Sequence, residues 1–140
     1  MSRRKSRELA VQMLYQVEMT GYAPEQAKKI YLDNFNPPDE YRAFAEKLVS
    51  GACEHRKEID RLIGKTAKNW SLARITPVDR CILRIAVYEM MHCADIPHKV
   101  TLNEAIDLAK KFGTEKSGAF INGVLDNVLA QNPELDKKAG

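Results

Sequence analysis

The chain has 140 residues, of which 44% are hydrophobic and 29% are charged, and it carries a formal net charge of +3. This length accommodates one domain with a sizeable core, and the balance of apolar and charged residues is that of an ordinary globular protein, not of a disordered or fibrous one. No apolar run reaches the roughly 18 residues of a membrane span, and the basic N-terminus lacks the apolar region of a signal peptide.

The first half of the chain predicts three helices, because apolar residues recur at helical spacing and no alternating pattern is present. The first helix is predicted from about Arg4 to Thr20, ahead of Gly21. The second begins at Pro24, a favoured residue in a first turn, and ends near Phe35. A long third helix is predicted from about Asp39 to Ile63, which Gly51 could bend.

The middle of the chain predicts a buried central helix. A short helix or turn around Trp70, over residues 67–75, precedes it. Thr76 is predicted as its N-cap, with Pro77 in the first position and Asp79 in the third. The residues that follow are apolar almost all round, which is typical of a helix at the centre of a fold, and the helix ends before Pro97.

Two further helices complete the predicted fold. Thr101 and Glu104 have the spacing of a capping box, and Gly113 is the expected C-terminal glycine of that helix. Thr114 opens the last helix, which ends near Asn132. The sequence therefore predicts an all-α protein, a compact bundle of about seven helices. We expect one domain over 1–140, divided near residue 69 into subdomains of about 1–68 and 69–132.

A helical wheel of the first helix places an aromatic residue on its polar face. This residue, Tyr15, lies downstream of the cations Arg3, Arg4, Lys5 and Arg7. Cations attract phosphates and release counterions, and an exposed ring offers a stacking surface for an unpaired base. The same pattern also fits a solvated basic terminus whose tyrosine packs against a neighbouring helix, so both interpretations remain open.

A second aromatic residue lies off the apolar stripe of the last helix. Phe120 shares a flank with Lys116, which indicates either a partner-contact residue or the edge of a wide core. If the first and last helices pack side by side, Arg4, Tyr15, Lys116 and Phe120 form one basic, aromatic surface suited to single-stranded RNA.

The central helix carries further candidates. In its first turn, the carboxylate of Asp79 is stabilised by backbone N–H groups and the helix dipole. Its alternative role is to accept a hydrogen bond from a base amino group. Arg80 and Arg84 share one flank of this helix, and Tyr88 continues the same row. They predict either buried ion pairs or a surface that faces a partner.

Catalytic and metal-binding patterns are absent from the sequence. There is no glycine-rich phosphate loop, no H-E-x-x-H and no G-x-S-x-G, and the three histidines show no ligand spacing. The three cysteines, Cys53, Cys81 and Cys93, include no C-x-x-C pair, which fits a reducing cytoplasm without disulfides or zinc. We expect a cytoplasmic protein that is not an enzyme and that needs no metal or cofactor.

Several segments together resemble the NusB family of bacterial transcription antitermination factors. The resemblance covers about residues 3–129 and is carried by the opening R-K-S-R-E-L-A-V-Q-M-L-Y, by D-R-C-I-L-R-I-A-V-Y-E from Asp79, by residues 97–110 and by F-I-N-G-V-L-D from Phe120. It implies an all-α fold of two helical subdomains. It also implies pairing with the ribosomal protein NusE and binding of the boxA element of ribosomal RNA leaders, within a complex that keeps RNA polymerase from terminating.

The resemblance also assigns roles to individual residues. Carried over position by position, the implied RNA-binding residues are Arg3, Arg4, Lys5, Arg7, Tyr15, Asp79, Lys116 and Phe120, and weaker candidates for the NusE contact are Arg84 and Tyr88. Lys116 departs from the family, in which this position is often acidic. Members occur as monomers and homodimers. The alternative from another class is a helical protein–protein interaction module without specific RNA recognition.

Overall fold

The computed structural model describes residues 2–66 and 74–137. Within these ranges the chain forms a bundle of seven α-helices and a final 3-10 turn, with no strand. The helices are α1 Ser2–Thr20, α2 Pro24–Phe35, α3 Asp39–Glu54, α4 Arg56–Thr66, α5 Pro77–His92, α6 His98–Phe112 and α7 Ser117–Gln131, and the 3-10 turn is Pro133–Leu135. The predicted all-α bundle is confirmed, whereas the short helix or turn around Trp70 falls mostly outside the described residues.

The central helix is α5, as its sequence predicts. Its backbone begins at the expected cap, where the Thr76 hydroxyl accepts a hydrogen bond from the Asp79 N–H at 3.3 Å. Eleven of its residues are buried, and it packs against α1, α3, α4, α6 and α7. At its C-terminal end, Lys137 Nζ donates to the backbone carbonyls of Glu89, Cys93 and Ile96. Side chains thus form hydrogen bonds with backbone groups at both ends of the helix.

The prediction of one long third helix was wrong. The helix ends at Glu54, and His55 has φ −101° and ψ 18°, so α4 begins in a new direction at Arg56. The break lets α3 pack against α1, α2 and α5 while the apolar face of α4 turns toward α5 and α7. Gly51 lies within α3 and serves a different purpose, because a Cβ there would lie 2.2 Å from the Tyr88 ring.

The predicted capping box of the sixth helix was also wrong. The helix begins at His98 after Pro97, so Thr101 and Glu104 lie inside it. The Thr101 hydroxyl donates to Glu89 Oε1 at 3.0 Å, and Glu104 pairs with Arg4. The side chains of Thr101 and Glu104 therefore bond to residues distant in sequence and do not cap the helix backbone, as the local pattern had predicted.

The turn between α6 and α7 is close to its predicted position. Gly113 ends α6 as expected, although its backbone is extended (φ −97°), and a Cβ there would meet Ser117 Oγ at 2.4 Å. The turn begins at Thr114, and α7 itself starts three residues later, at Ser117.

One hydrophobic cluster joins the helices on both sides of the predicted subdomain boundary. The boundary itself, near Asn69, lies outside the described residues, so the division into 1–68 and 69–132 stays a prediction. Among the described helices, none has the length and apolar character that crossing a bilayer would require.

Candidate nucleic-acid interface

The first turns of α1 place three cations at the surface. Arg3, Arg4 and Lys5 each keep about half of their side-chain surface exposed. Arg4 is held by Glu104 at 2.7 Å and by Asp107 at 2.8 Å, both on α6. These arginine contacts align the start of α1 with the middle of α6.

The remaining two cations also have acidic neighbours. Arg3 lies 3.2 Å from Asp95 and 4.6 Å from the centre of the Phe44 ring, while Lys5 is 3.6 Å from Glu8. The hydrogen bond from Arg3 holds the pKa of Asp95 below its usual value. The basic N-terminus is thus a set of exposed ion pairs, in which phosphates must compete with carboxylates.

Arg7 has a different environment from its neighbours in the sequence. Its guanidinium is buried and donates two hydrogen bonds to the carboxylate of Glu89, at 2.7 and 2.8 Å, and Glu104 lies 3.6 Å away. Burial alone would lower the pKa of Arg7, but the hydrogen bonds and charge of Glu89 outweigh it and raise the pKa. Arg7 forms part of the wall of a cleft beside Arg3 and Arg4, but it is only 3% exposed and its guanidinium is engaged by Glu89, so its position argues against the predicted RNA contact.

The two candidates for partner contact are buried as well. Arg84 donates to Asp60 at 2.9 and 3.1 Å and to Glu18 at 2.7 Å. Tyr88 is 7% exposed and fills the space left by Gly51. The sequence left open either a buried ion pair or a surface that faces a partner, and the structure shows Arg84 in a buried ion pair. The placement of both residues argues against direct contact with a partner.

A cavity of about 360 Å³ brings together three of the predicted RNA-binding residues, Asp79, Lys116 and Phe120. Asp79 Oδ1 is buried and accepts no hydrogen bond from any described residue. The Lys116 side chain is exposed at the N-cap of α7 and forms no ion pair within the described parts of the chain. Phe120 is half-buried and packs against the core. The cavity therefore offers an acceptor that no described residue uses, a cation and an aromatic surface side by side.

Tyr15 lies outside this cavity, in a cleft of its own. Its side chain is 38% exposed and lines a smaller cleft of about 200 Å³ with Tyr31, Val78 and Phe112. Val78 directly precedes Asp79 in α5, and Phe112 ends α6 just before the α6–α7 turn. The tyrosine is thus both packed on one edge and open on the other, which reconciles the two interpretations of its pattern.

Shallow clefts connect these features into one surface along α6. One cleft contains Arg3 and Arg4, the next shares Arg4 and reaches Lys110, and a third runs from Lys110 to Thr114, at the rim of the Asp79 cavity. We call this continuous surface, from Arg3 to Phe120, the α6 strip. It joins the two groups of residues through α6, because α1 and α7 each pack against α6, whereas the prediction of one surface supposed that they pack side by side.

The α6 strip contains two lysines that the sequence analysis did not single out. Lys110 and Lys111 stand in the last turn of α6, where cations also favour the helix dipole. Lys111 lies 3.0 Å from Glu8, whereas Lys110 forms no ion pair with a described residue. Two consecutive lysines at a helix end, next to a predicted RNA-binding turn, are the signal that could have identified them.

The chain matches the model of the NusB family over residues 4–130. The transcription antitermination protein NusB of Syntrophus aciditrophicus is 48% identical over 129 residues, which is 92% of this chain and 80% of that protein. A solved structure of T. maritima NusB is 38% identical, has a TM-score of 0.85 and covers 92% of this chain and 91% of that one. A structure of antitermination factors NusB and NusE in complex with double-stranded RNA is 30% identical, with a TM-score of 0.84, over 93% of this chain and 97% of that one. This chain belongs to the NusB family.

Proposed function

We propose that this protein is a transcription antitermination factor that binds the boxA element of ribosomal RNA leaders together with NusE. In this role it helps RNA polymerase to avoid premature termination. Support comes from relatives named as NusB antitermination proteins and from a relative solved with NusE and RNA. The role is one of binding, in the cytoplasm and without catalysis. Burial raises the pKa of the Cys81 thiol to about 12, so this cysteine is a poor nucleophile at neutral pH.

The observation that carries the proposal is the cavity formed by Asp79, Lys116 and Phe120. No described residue donates to the buried Asp79 Oδ1, a costly state for a carboxylate oxygen, and a base amino group would supply a hydrogen bond. The Phe120 ring gives that base a stacking surface, and Lys116 attracts the phosphate beside it. Each of the three groups thus matches one part of a nucleotide.

The rest of the α6 strip positions the RNA backbone. Arg3 and Arg4 at one end, and Lys110 and Lys111 in the middle, provide cations along a single path, and Lys5 lies beside it through its contact with Glu8. Contacts to phosphates fix orientation and supply the salt-dependent part of the affinity, while the base contacts supply specificity. Tyr15, in its own cleft, adds a second ring for stacking.

Titration of single-stranded boxA RNA against a shuffled RNA of equal length tests the proposal. The protein should prefer boxA, and equimolar NusE should strengthen that preference. Lys110→Ala should flatten the dependence of affinity on salt, by up to about one phosphate contact, whereas Lys57→Ala on α4 should not. Equal affinity for both RNAs, with and without NusE, would overturn the proposal.

The rival function is a helical protein–protein module without specific RNA recognition. It is favoured by the carboxylates that already engage Arg3 and Arg4 and reduce their attraction for phosphates. Because Arg84 and Tyr88 are buried, a NusE contact would use other residues of this chain. NusE binding that is retained together with indifference to RNA sequence would establish the rival.

A further inference from the structure

Three potential metal ligands converge on the side of the molecule where α4 begins and α5 ends. His55 occupies the junction of α3 and α4, Glu58 lies in the first turn of α4, and His92 is the last residue of α5. One ligand atom from each lies within 4.8 Å of the other two, and His55 Nδ1 is 3.7 Å from Glu58 Oε2. The two histidines are distant in sequence, which is why their spacing predicted nothing.

Core packing, and not the three residues themselves, brings the elements together. Gly51 leaves room for the Tyr88 ring between α3 and α5. That ring lies 5.4 Å from the imidazole of His92 and 6.1 Å from that of His55, and the two imidazoles are 4.0 Å apart. The break at His55 turns the helix and brings Glu58 alongside. The histidines are therefore held as neighbours by a buried tyrosine.

We propose that His55, Glu58 and His92 bind one divalent transition-metal ion of the zinc class. Two imidazoles with one carboxylate suit zinc, copper or nickel, whereas magnesium and calcium prefer oxygen ligands. Three protein ligands leave a fourth tetrahedral position for water, and Glu58 and His92 are exposed to it. Zinc bonds of about 2.0–2.2 Å would place the ligand atoms about 3.3 Å apart. The ligand atoms in the structure lie up to 4.8 Å apart. The side chains must therefore rotate out of their stacked arrangement to bind the ion.

Such an ion would fasten the start of α4 to the end of α5. These two segments belong to opposite halves of the sequence. The site lies thirteen residues along α5 from Asp79, which corresponds to about 20 Å of helix. It is independent of the proposed RNA cavity, so metal binding and RNA binding can fail separately.

Calorimetric titration of the full chain with zinc chloride, with its cysteines kept reduced, tests the proposal. One equivalent should bind, and His92→Ala and Glu58→Gln should each weaken binding by at least about tenfold. Glu54→Gln is the matched control, because it removes an exposed charge next to His55 that is outside the cluster, and it should leave the affinity unchanged. Zinc should raise the melting temperature of the wild type but not that of His92→Ala.

Cobalt spectra identify the ligands directly. Bound cobalt should give the bands of a nitrogen and oxygen site without a thiolate charge-transfer band. Such a thiolate band would assign the ion to a cysteine such as Cys53 and overturn the proposal. So would the absence of saturable zinc binding, or equal affinity in wild type and a folded His92→Ala variant.

Discussion

Arg4 and Arg7 stand one turn apart on α1, yet they have opposite environments. Arg4 is half exposed and held by carboxylates on the surface of α6, while Arg7 is buried against Glu89 of the central helix. Arg84 resembles Arg7, because its guanidinium is also buried and paired with carboxylates. A charge in water can be shared with a phosphate at little cost, but a buried charge cannot leave its partner. The first kind of arginine is therefore suited to the proposed RNA binding, and the second to stabilising the fold.

The largest expected effect is on the buried side of this comparison. Arg84→Met keeps the volume of the side chain but removes the buried cation that joins Glu18 and Asp60, which then keep their contacts with Arg80 and the exposed Arg56. We expect the free energy of unfolding to fall by about 3–5 kcal/mol, measured by urea denaturation. Arg61→Ala, an exposed arginine on α4, should change it by less than about 0.5 kcal/mol. If Arg84→Met instead leaves the free energy of unfolding unchanged and weakens RNA or NusE binding, Arg84 acts in binding and belongs with exposed arginines such as Arg4.

The next effect concerns the aromatic surface at the far end of the α6 strip. Phe120→Ala should reduce the free energy of boxA binding by about 1–3 kcal/mol, because a stacked base loses its support. Filter-binding titration measures this loss, and circular dichroism checks that the variant is folded. Tyr22, beyond the end of α1, is 37% exposed and lines none of the clefts of the α6 strip, so Tyr22→Ala is the control and should bind normally. A folded Phe120→Ala with wild-type affinity would exclude a stacking role.

A smaller effect should arise from releasing Arg4 from one of its partners. Asp107→Asn removes an exposed carboxylate 2.8 Å from the guanidinium and keeps the size of the side chain. We expect RNA affinity to rise a few-fold at low salt and the gain to shrink as salt increases, since screening weakens exposed charges. Asp126→Asn, an exposed carboxylate on α7, is the matched control for net charge. A fall in affinity for Asp107→Asn would mean that the pair orients Arg4 for RNA.

The smallest effect is expected in the acid stability of the Arg4–Glu104 pair. The hydrogen bond from Arg4, assisted by the charges of Arg4 and Arg7, lowers the pKa of Glu104 below its ordinary 4.5. A lowered carboxylate pKa contributes stability above about pH 4.5, and this contribution is lost as the pH falls through the folded-state value. Wild type should therefore be more stable than Glu104→Gln at neutral pH and match it in strong acid. A difference that persists in acid would indicate a role for Glu104 that does not require its charge.

Local signals predicted the ends of several helices. Gly21, with φ 75°, follows α1, Pro24 opens α2, and Thr76 caps α5, each as its residue type requires. These sites are decided by one or two neighbouring residues, so the sequence contains all the needed information. The all-α class and the buried central helix follow from periodicity in the same way.

Features that depend on distant partners could not be predicted. Thr101 and Glu104 have a capping pattern, but Glu89 and Arg4 compete for their side chains more successfully than the backbone does. Arg7 stands in a run of exposed cations, although it is seven residues before the buried Leu14 and thus on the same face of α1. The proximity of His55 and His92 depends on a helix break that no proline or adjacent glycine announces.

The hydrogen bonds of Lys137 have a consequence for the order in which the protein can fold during synthesis. Its ammonium closes the end of α5 by binding the carbonyl of Glu89, a residue 48 positions earlier in the chain. Translation at about 5–20 residues per second would separate the synthesis of these two residues by roughly 2–10 s. Arg7 is made before Glu89, so both members of the buried pair exist before the lysine that caps the final turn of α5 is made. The last turn of the central helix would then be completed in two stages, with the Glu89 side chain paired first and the backbone end of the helix closed only later.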